Sequence, residues 1–472
     1  MSRASHSQFS FADLELQNLG IRLDPTLQAV SDFLDRQQHL VDKIRQDLER
    51  GLKSPHTGRE GMSPAQVLRS LVLMRIKNWD YRELRERIDD GLSLRGFTYF
   101  DTHPVPKHDA FNRAFCRISP PTLEEINREV IRVAVELGLE DGKKLRIDTT
   151  VVETNIHYPT DATLLWDSVR TITRLMQDLH DILPQGVKGF TNRTRSARRR
   201  MQEIERMTPQ ERAHQQLPKY RELLWITQEV VKNARQALKR KTPKKVALED
   251  ALKIDALKQE IGEYCGLAER VIAQTRRRVI DGEQVPAEEK IYSIFEPHTD
   301  LIKRGKARKP VEFGHKVFLA ESGQGLITEY RVLDGNPCDT NQVKTSLDNH
   351  QKNFQHAPDL YATDRGFHSA ENEAACKEAG VKQVCIPQRG GNKTTERKAL
   401  ERSREFKQGQ AFRSGIEGRI SVLFRGRGMK RCLSKGRERF EILVGAAVLA
   451  NNLMRIAELL KDKTTKPKRR AA

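Results

Sequence analysis

Apolar positions recur at helical spacing through residues 61–140. Ser63 and Gln66 predict a capping-box start for a helix through "AQVLRSLVLMRIKN", and Asp80 predicts the start of a second helix, "YRELRERIDD", after a tight turn. Further helices are predicted for "KHDAFNRAFCRIS" and, from a cap at Thr122, for "LEEINREVIRVAVELGL". Two short helices about a turn predict a helix-turn-helix-like DNA-binding domain over this range, and a purely structural helical bundle is the alternative.

Helical periodicity returns later in the chain and predicts an α-helical insertion over 159–285. The charge runs "RTRSARRRM", "KRKTPKK" and "RRR" within it are either phosphate contacts or solvated helix faces. The chain begins with a polar segment, 1–60, that ends in the linker "SPHTGRE", and order is expected to begin after this linker. It closes with an apolar helix over 441–460 and a basic tail, 461–472, for which disorder is predicted.

Segments with strand character lie on both sides of the helical insertion. They predict an α/β domain formed by 141–158 and 286–440, with helices at "TNQVKTSLDNHQ" and "SAENEAACKEAG" between the later strands. The predicted strands are 144–152, "KIYSIF" (290–295), "HKVFLAE" (315–321), "LITEYRVLD" (326–334), "LYATD" (360–364) and "KQVCIP" (382–387).

Two aspartates, Asp148 and Asp364, stand towards the ends of predicted strands. Because the carboxyl ends of strands in such a sheet open onto one crevice, we expect these side chains to converge. An aspartate at a strand end also caps turns, so each residue alone has a structural alternative. As a pair they predict a metal site, since two Mg²⁺ ions held by about three carboxylates activate the attacking oxygen and stabilise the leaving one in phosphoryl displacement.

The third carboxylate is expected downstream, and Glu417 in "RSGIEGR" is the prediction, with Arg413 one helical turn earlier. The alternative is a structural Arg–Glu pair on a solvated helix. The weaker rivals for the third acid are Glu401, Glu405, Glu438 and Glu441.

The amino-acid composition indicates what kind of partner the protein binds. Lys and Arg outnumber Asp and Glu by 84 to 64, and the resulting net charge of +20 favours nucleic acid over a neutral partner. Six cysteines without C-x-x-C spacing indicate neither a zinc site nor a disulfide framework, which fits a reducing cytosol. No apolar run is expected to reach membrane-spanning length, and the N-terminus lacks a secretory signal, so no membrane partner is predicted.

The predicted phosphate contacts are basic residues near the third acid and one on a strand, namely Arg413, Arg425, Arg427, Lys430 and Lys316. His315, next to the last of these, is predicted to be packed or hydrogen-bonded rather than a metal ligand.

The motifs "RIDTTVVETNIHYPTDATLLWD", "YATDRGFHSAEN" and "FRSGIEGRISVLFRGRGMKRC" resemble the acidic motifs of bacterial insertion-sequence DDE transposases, in particular those of the ISNCY group. The resemblance runs from the helical N-terminal region to "GAAVLANNLMRI". It implies an RNase H-like catalytic domain with Asp148, Asp364 and Glu417 as the catalytic and metal-binding triad. Many relatives have Tyr three residues before the Arg and Lys seven after the Glu, whereas Gln410 and Phe424 stand here.

The activity implied by the resemblance is metal-dependent hydrolysis at transposon ends, followed by transfer of the freed 3′-hydroxyl into target DNA. Its cofactor would be two Mg²⁺ ions, with Mn²⁺ as a substitute. Its partner would be double-stranded DNA, bound by at least a homodimer in the bacterial cytoplasm at the nucleoid. The alternatives are a metal-dependent nuclease without strand transfer and a transposase-derived DNA-binding regulator. A tyrosine recombinase is disfavoured, because it needs a tyrosine downstream of an H-x-x-R motif in its catalytic region and the last tyrosine here, Tyr361, follows no such motif in that region.

Overall fold

The computed structural model describes residues 22–54, 57, 61–187, 189–240, 246–306 and 309–465. The chain divides into two compact units. The first unit comprises Met1–Glu153 and His315–Ala472, and the second comprises Thr154–Gly314.

The first unit begins with helices that share one apolar core. The prediction that order begins after residue 60 is wrong, because two helices precede that point and bury Val30, Phe33 and Ile44. The helices are α1 (Pro25–Asp35), α2 (Gln38–Glu49), α3 (Pro64–Lys77), α4 (Tyr81–Asp90), α5 (Leu92–Thr98), α6 (His108–Phe115) and α7 (Pro120–Glu136).

The ends of these helices follow their capping residues. The predicted capping box of α3 is confirmed, since Ser63 and Gln66 exchange hydrogen bonds between side chain and backbone. The predicted start of α4 is confirmed as well, with Asp80 accepting from two backbone N–H groups. The cap predicted at Thr122 is wrong, because Ser119 caps α7 and Pro120 occupies its first helical position, where a fixed φ favours helix initiation.

A mixed sheet forms the other half of the first unit. Its strands are β1 (Lys144–Thr154), β3 (Lys309–Ser322), β4 (Ile327–Val332), β5 (Leu360–Ala362), β6 (Gln383–Cys385) and β7 (Arg431–Cys432). Strand β2 (Asp300–Lys306) belongs to the second unit and pairs with the first half of β3. The order in the first unit is β4-β3-β1-β5-β6, and β7 pairs with β1. Strands β1, β5 and β6 are parallel, whereas β3 and β4 are antiparallel.

Helices follow the later strands. Those in the C-terminal part are α12 (Val343–Phe354), α13 (Ala370–Glu378), α14 (Thr395–Arg402), α15 (Arg404–Gly426) and α16 (Arg437–Thr465). The alternation of strands and helices after residue 326 confirms the predicted α/β character of this region.

Helix α16 lies between the N-terminal helices and the sheet. Its residues Leu449 and Leu453 belong to the core of α1–α7, whereas Val444 and Val448 pack with Val152 of β1. Among the described residues this is the one helix long and apolar enough to span a membrane, contrary to the expectation that no apolar run reaches that length. Since 78% of its most apolar stretch is buried inside the protein, α16 serves as a core helix here.

The second unit is mostly helical. Its helices confirm the helical periodicity that follows the first strand and share a core of leucine, isoleucine and valine. They are α8 (Asp161–Ile182), α9 (Thr194–Arg206), α10 (Pro209–Leu238) and α11 (Leu248–Thr275). The strand predicted at "KIYSIF" is wrong: Ile291 and Ile294 are buried, but the Ser293 hydroxyl accepts the backbone N–H groups of residues 295 and 296 and turns the chain locally.

Candidate active site

Asp148 lies in the middle of β1, and Asp364 follows the end of the neighbouring parallel strand β5. The register of β1 and β5 pairs Lys144 with Leu360 and Arg146 with Ala362. Extending this register by two residues brings Asp148 level with Asp364, which stands two residues beyond the end of β5. The two aspartates therefore converge as predicted, through the parallel pairing, but the prediction that Asp148 stands towards the end of its strand is wrong because β1 continues to Thr154.

Each aspartate uses one carboxylate oxygen to accept a nearby backbone N–H. In Asp148, which is buried, Oδ1 accepts from Thr149 N at 2.7 Å. In Asp364, Oδ1 accepts from Gly366 N at 2.7 Å and caps a short 3₁₀ turn. These bonds fix the orientation of both carboxyl groups and leave Oδ2 of each directed to the same neighbour.

That neighbour is Arg413 on α15. Its Nη2 lies 3.0 Å from Asp148 Oδ2 and 3.7 Å from Asp364 Oδ2, and its Nη1 lies 3.2 Å from Glu417 Oε1. One half-buried guanidinium thus contacts all three acids that the sequence predicted. The Arg–Glu pair is the i,i+4 pair expected on a helix, but Arg413 also reaches the sheet, so it is more than a solvated surface pair.

Helix α15 is attached to the sheet through a buried ion cluster. Glu321 on β3 is fully buried, and its carboxylate binds Arg146 of β1 at 2.8 Å and Arg419 of α15 at 3.0 Å. Arg146 also donates to the Phe412 carbonyl at 2.5 Å. A Cβ on Gly415 would lie 2.2 Å from Arg146 Nη1, so a larger residue at this position would displace the guanidinium from its bonds to Glu321 and to the Phe412 carbonyl.

The two departures from the transposase pattern have packing roles. The Gln410 amide donates to the Thr363 carbonyl at 3.2 Å and to the Cys385 carbonyl at 2.8 Å, which attaches α15 to the ends of β5 and β6. Phe424 is half-buried against the core shared by the sheet and α16. Arg425, the nearest basic residue, is exposed.

The remaining basic candidates differ in exposure. Lys430 is exposed, whereas Arg427 is half-buried, donates to the Ile76 carbonyl at 2.9 Å, and has a pKa lowered by burial. Lys316, which the sequence suggested as a DNA contact, is 6% exposed. Its ammonium binds Asp339 at 2.8 Å and the Pro337 carbonyl at 2.8 Å, so it is held inside the protein.

His315 and one of the rival glutamates, Glu401, have partners away from the three acids. His315 is buried, lies edge-on to Phe440 and has Nδ1 3.0 Å from Arg437, which confirms the prediction of a packed, hydrogen-bonded histidine. Burial alone would raise the pKa of the Glu401 carboxyl, but its bonds with Lys393, the Gln388 N–H and Arg397 lower that pKa to about 2.

Two family models match the chain. The first is a transposase domain (DUF772) over residues 22–117, and the second is a transposase DDE domain over residues 273–453. The chain belongs to the insertion-sequence DDE transposases. No curated protein and no solved structure matches it.

The family matches cover part of the candidate site of the transposase. Asp364, Arg413 and Glu417 fall within the DDE domain, whereas Asp148 falls in the stretch between the two matches. The link between Asp148 and the other acids therefore comes from the strand register and from the contact with Arg413.

Transposases of the DDE family typically depend on divalent metal, and the donor set here suits such an ion. Carboxylate oxygens are the ligands that Mg²⁺ and Mn²⁺ prefer. Within the described residues, no three acidic, histidine or cysteine side chains are placed to hold one ion directly. The Arg413 guanidinium stands among the three carboxylates instead, so a bound cation would take over contacts that Arg413 now makes.

Sequence reasoning missed one further acid at this site, Asp339. Its Oδ1 accepts from the Thr149 hydroxyl at 2.9 Å and binds the Lys316 ammonium at 2.8 Å. The available signal was "LDGNPCDTN", a turn-rich segment directly after a strand, where an aspartate is ordinarily assigned to capping.

Proposed function

We propose that this transposase uses Asp148, Asp364 and Glu417 as a metal-binding catalytic triad to hydrolyse DNA at transposon ends and to join the freed 3′-hydroxyl to target DNA. The observation that carries the proposal is the contact of Arg413 with all three carboxylates. Three acids around one guanidinium leave an excess of negative charge, which favours binding of further cations.

In the proposed site Asp148 and Asp364 would hold a shared divalent ion, and Glu417 would complete a second position. Mg²⁺ is the proposed ion, with Mn²⁺ as a substitute. Such ions lower the pKa of the attacking water or 3′-hydroxyl and stabilise the leaving oxygen. The protein contributes rigid placement, because Asp148 is buried on β1 and both aspartates are fixed by backbone N–H groups.

The basic residues of α15 and the following turn are proposed to bind the DNA backbone. Arg413 would exchange its carboxylate partners for a phosphate near the reacting bond. Arg425 and Lys430 are exposed and available for phosphates, whereas Arg427 would contribute through the edge of its half-buried guanidinium. These contacts position the duplex without reading its sequence.

The arrangement of strands supports an RNase H-like catalytic domain. An antiparallel pair, β3 and β4, lies on one side of β1, and the parallel strands β5 and β6 lie on the other. Because joining two transposon ends requires paired ends, we propose a homodimer or higher oligomer on DNA. We place this activity in the bacterial cytoplasm, at the nucleoid.

The test is an end-joining assay with the purified full-length protein. The substrate is a duplex that carries the terminal sequence of the element, already cut so that the 3′-hydroxyl of the element's end is exposed, with a plasmid as target. We expect a joined product in Mg²⁺ or Mn²⁺ and none in EDTA, because the site relies on divalent ions. Gel electrophoresis of the labelled strand measures the product.

The matched control is the same duplex with a dideoxy 3′-end, which binds but has no nucleophile to transfer. Cleavage of an uncut end without joining of the precut one would favour the nuclease alternative. Binding without either reaction in any divalent ion would favour the regulatory protein and contradict the proposal.

A further inference from the structure

Asp339 lies beside the proposed triad. It begins the 3₁₀ turn Asp339–Gln342 that leads into α12. Its Oδ1 binds the hydroxyl of Thr149, the residue after Asp148, and the ammonium of Lys316 on β3. The carboxylate thereby connects two strands of the sheet at the end where the triad lies.

The second oxygen of Asp339 lies beside Gly366, as does one oxygen of Asp364. A Cβ placed on Gly366 would lie 2.9 Å from Asp364 Oδ1 and 3.2 Å from Asp339 Oδ2, so the two carboxylates share the space above this glycine. Asn372 holds the two loops together, because its Nδ2 donates to the Thr340 carbonyl at 2.9 Å and to the Phe367 carbonyl at 2.8 Å.

Lys316 balances this additional negative charge. A lysine that is 6% exposed is costly to keep charged unless a counter-ion is present, and Asp339 supplies one. The Pro337 carbonyl accepts from the same ammonium at 2.8 Å. The pair is therefore built into the protein at the edge of the site and is not a mobile surface contact.

We propose that Asp339 and Lys316 are positioning residues that have opposite effects on the affinity of the site for metal. The Asp339 carboxylate raises the affinity for a divalent cation at Asp148 and Asp364, and the Lys316 ammonium lowers it while holding Asp339 in place. This inference rests on the proposed function, because it assumes that the triad binds metal.

Because Asp339 and Lys316 carry opposite charges, removing one or the other should change the metal affinity in opposite directions. A purely structural pair would not have this effect. A unit charge a few ångströms from a bound divalent ion changes its affinity by about tenfold or more at the effective dielectric of a protein surface. Asp339→Asn should therefore weaken binding about tenfold, and Lys316→Met should strengthen it about tenfold. The double variant, which removes one charge of each sign, should return to within about threefold of the unaltered protein.

The experiment is a Mn²⁺ titration of the full-length protein without DNA, followed by electron paramagnetic resonance of the free ion. The matched control is an exposed Lys–Asp pair at the opposite end of β5, Lys382 and Asp359, which are 2.8 Å apart. Lys382→Met and Asp359→Asn should each change the affinity by less than about twofold, because solvent screens them. Thermal melting of every variant reports on folding, and Lys316→Gln replaces Lys316→Met where that variant melts early.

A shift of the Asp339 and Lys316 variants in the same direction would mean that the pair only maintains structure and would overturn the inference. Unchanged affinity in both would overturn it as well. Asp148→Asn is titrated alongside: if it weakens Mn²⁺ binding while Asp339→Asn does not, the inference alone fails. If Asp148→Asn has no effect, the proposed metal site fails and the inference fails with it.

Discussion

Replacing Asp148 with asparagine should reduce end cleavage and joining by about 10³-fold or more, while DNA binding in EDTA stays within about twofold of the unaltered protein. The size follows from the loss of a charged group that stabilises the transition state from a fixed position. Asparagine has nearly the same shape, and its single amide oxygen can still accept either the Thr149 N–H or the Arg413 guanidinium, so the fold should persist. Single-turnover rates and fluorescence anisotropy with the same duplex measure the two quantities.

Asp141→Asn is the matched control for this prediction. Asp141 is an exposed aspartate shortly before β1, where it accepts from Lys143 N at 3.1 Å. Its replacement should leave cleavage unchanged. Cleavage by Asp148→Asn at more than a tenth of the normal rate would remove this residue from the chemistry.

Replacing Glu321 with glutamine should destabilise the first unit by about 3–5 kcal/mol, the usual range for breaking a buried ion pair. The variant leaves the guanidinium groups of Arg146 and Arg419 largely buried without their counter-charge. Arg146 lies two residues before Asp148 and Arg419 two residues after Glu417, so cleavage should fall as well. Equilibrium urea denaturation, monitored by circular dichroism, measures the stability.

Glu136→Gln offers a comparison in which the same substitution breaks an exposed pair. Glu136 contacts Arg132 on the surface of α7, and both side chains are more than half exposed. Surface pairs of this kind contribute at most about 1 kcal/mol. Similar losses for Glu321→Gln and Glu136→Gln would show that the buried cluster does not hold α15 against the sheet.

The proximity of Asp148, Asp364 and Glu417 could be predicted from the sequence because it follows from short-range patterns. Asp148 lies within one strand-like segment and Asp364 follows another, and parallel pairing of the two segments brings these positions together without any information about loops. Glu417 could be chosen because Arg413 stands four residues earlier, a spacing that places both side chains on one face of a helix.

Other parts of the fold depend on contacts that spacing does not reveal. Leu27 and Val30 of α1 are sparse apolar positions in a polar segment, and only the core they share with α16 makes them structural. The segment "KIYSIF" has strand composition, but the Ser293 hydroxyl competes for backbone N–H groups and its isoleucines enter a helical core.

The pairing of charged residues around the site could not be predicted from residue spacing either. Lys316 follows a strand pattern that gives no sign of its burial, and its partner Asp339 is 23 positions away in a turn. Gly415 and Gly366 appear interchangeable with other small residues until the Arg146 side chain and the two neighbouring carboxylates are placed around them. Pairings of this kind arise from tertiary packing rather than from local sequence.

The most direct measurement is the position of Mn²⁺ in crystals of the transposase bound to a precut end duplex, located by anomalous scattering at the manganese edge. We predict one ion about 2.1 Å from oxygens of both Asp148 and Asp364, a second ion on Glu417, and the Arg413 guanidinium moved onto a phosphate. Ions bound away from these carboxylates, or Arg413 still bridging all three acids with DNA in place, would contradict the account.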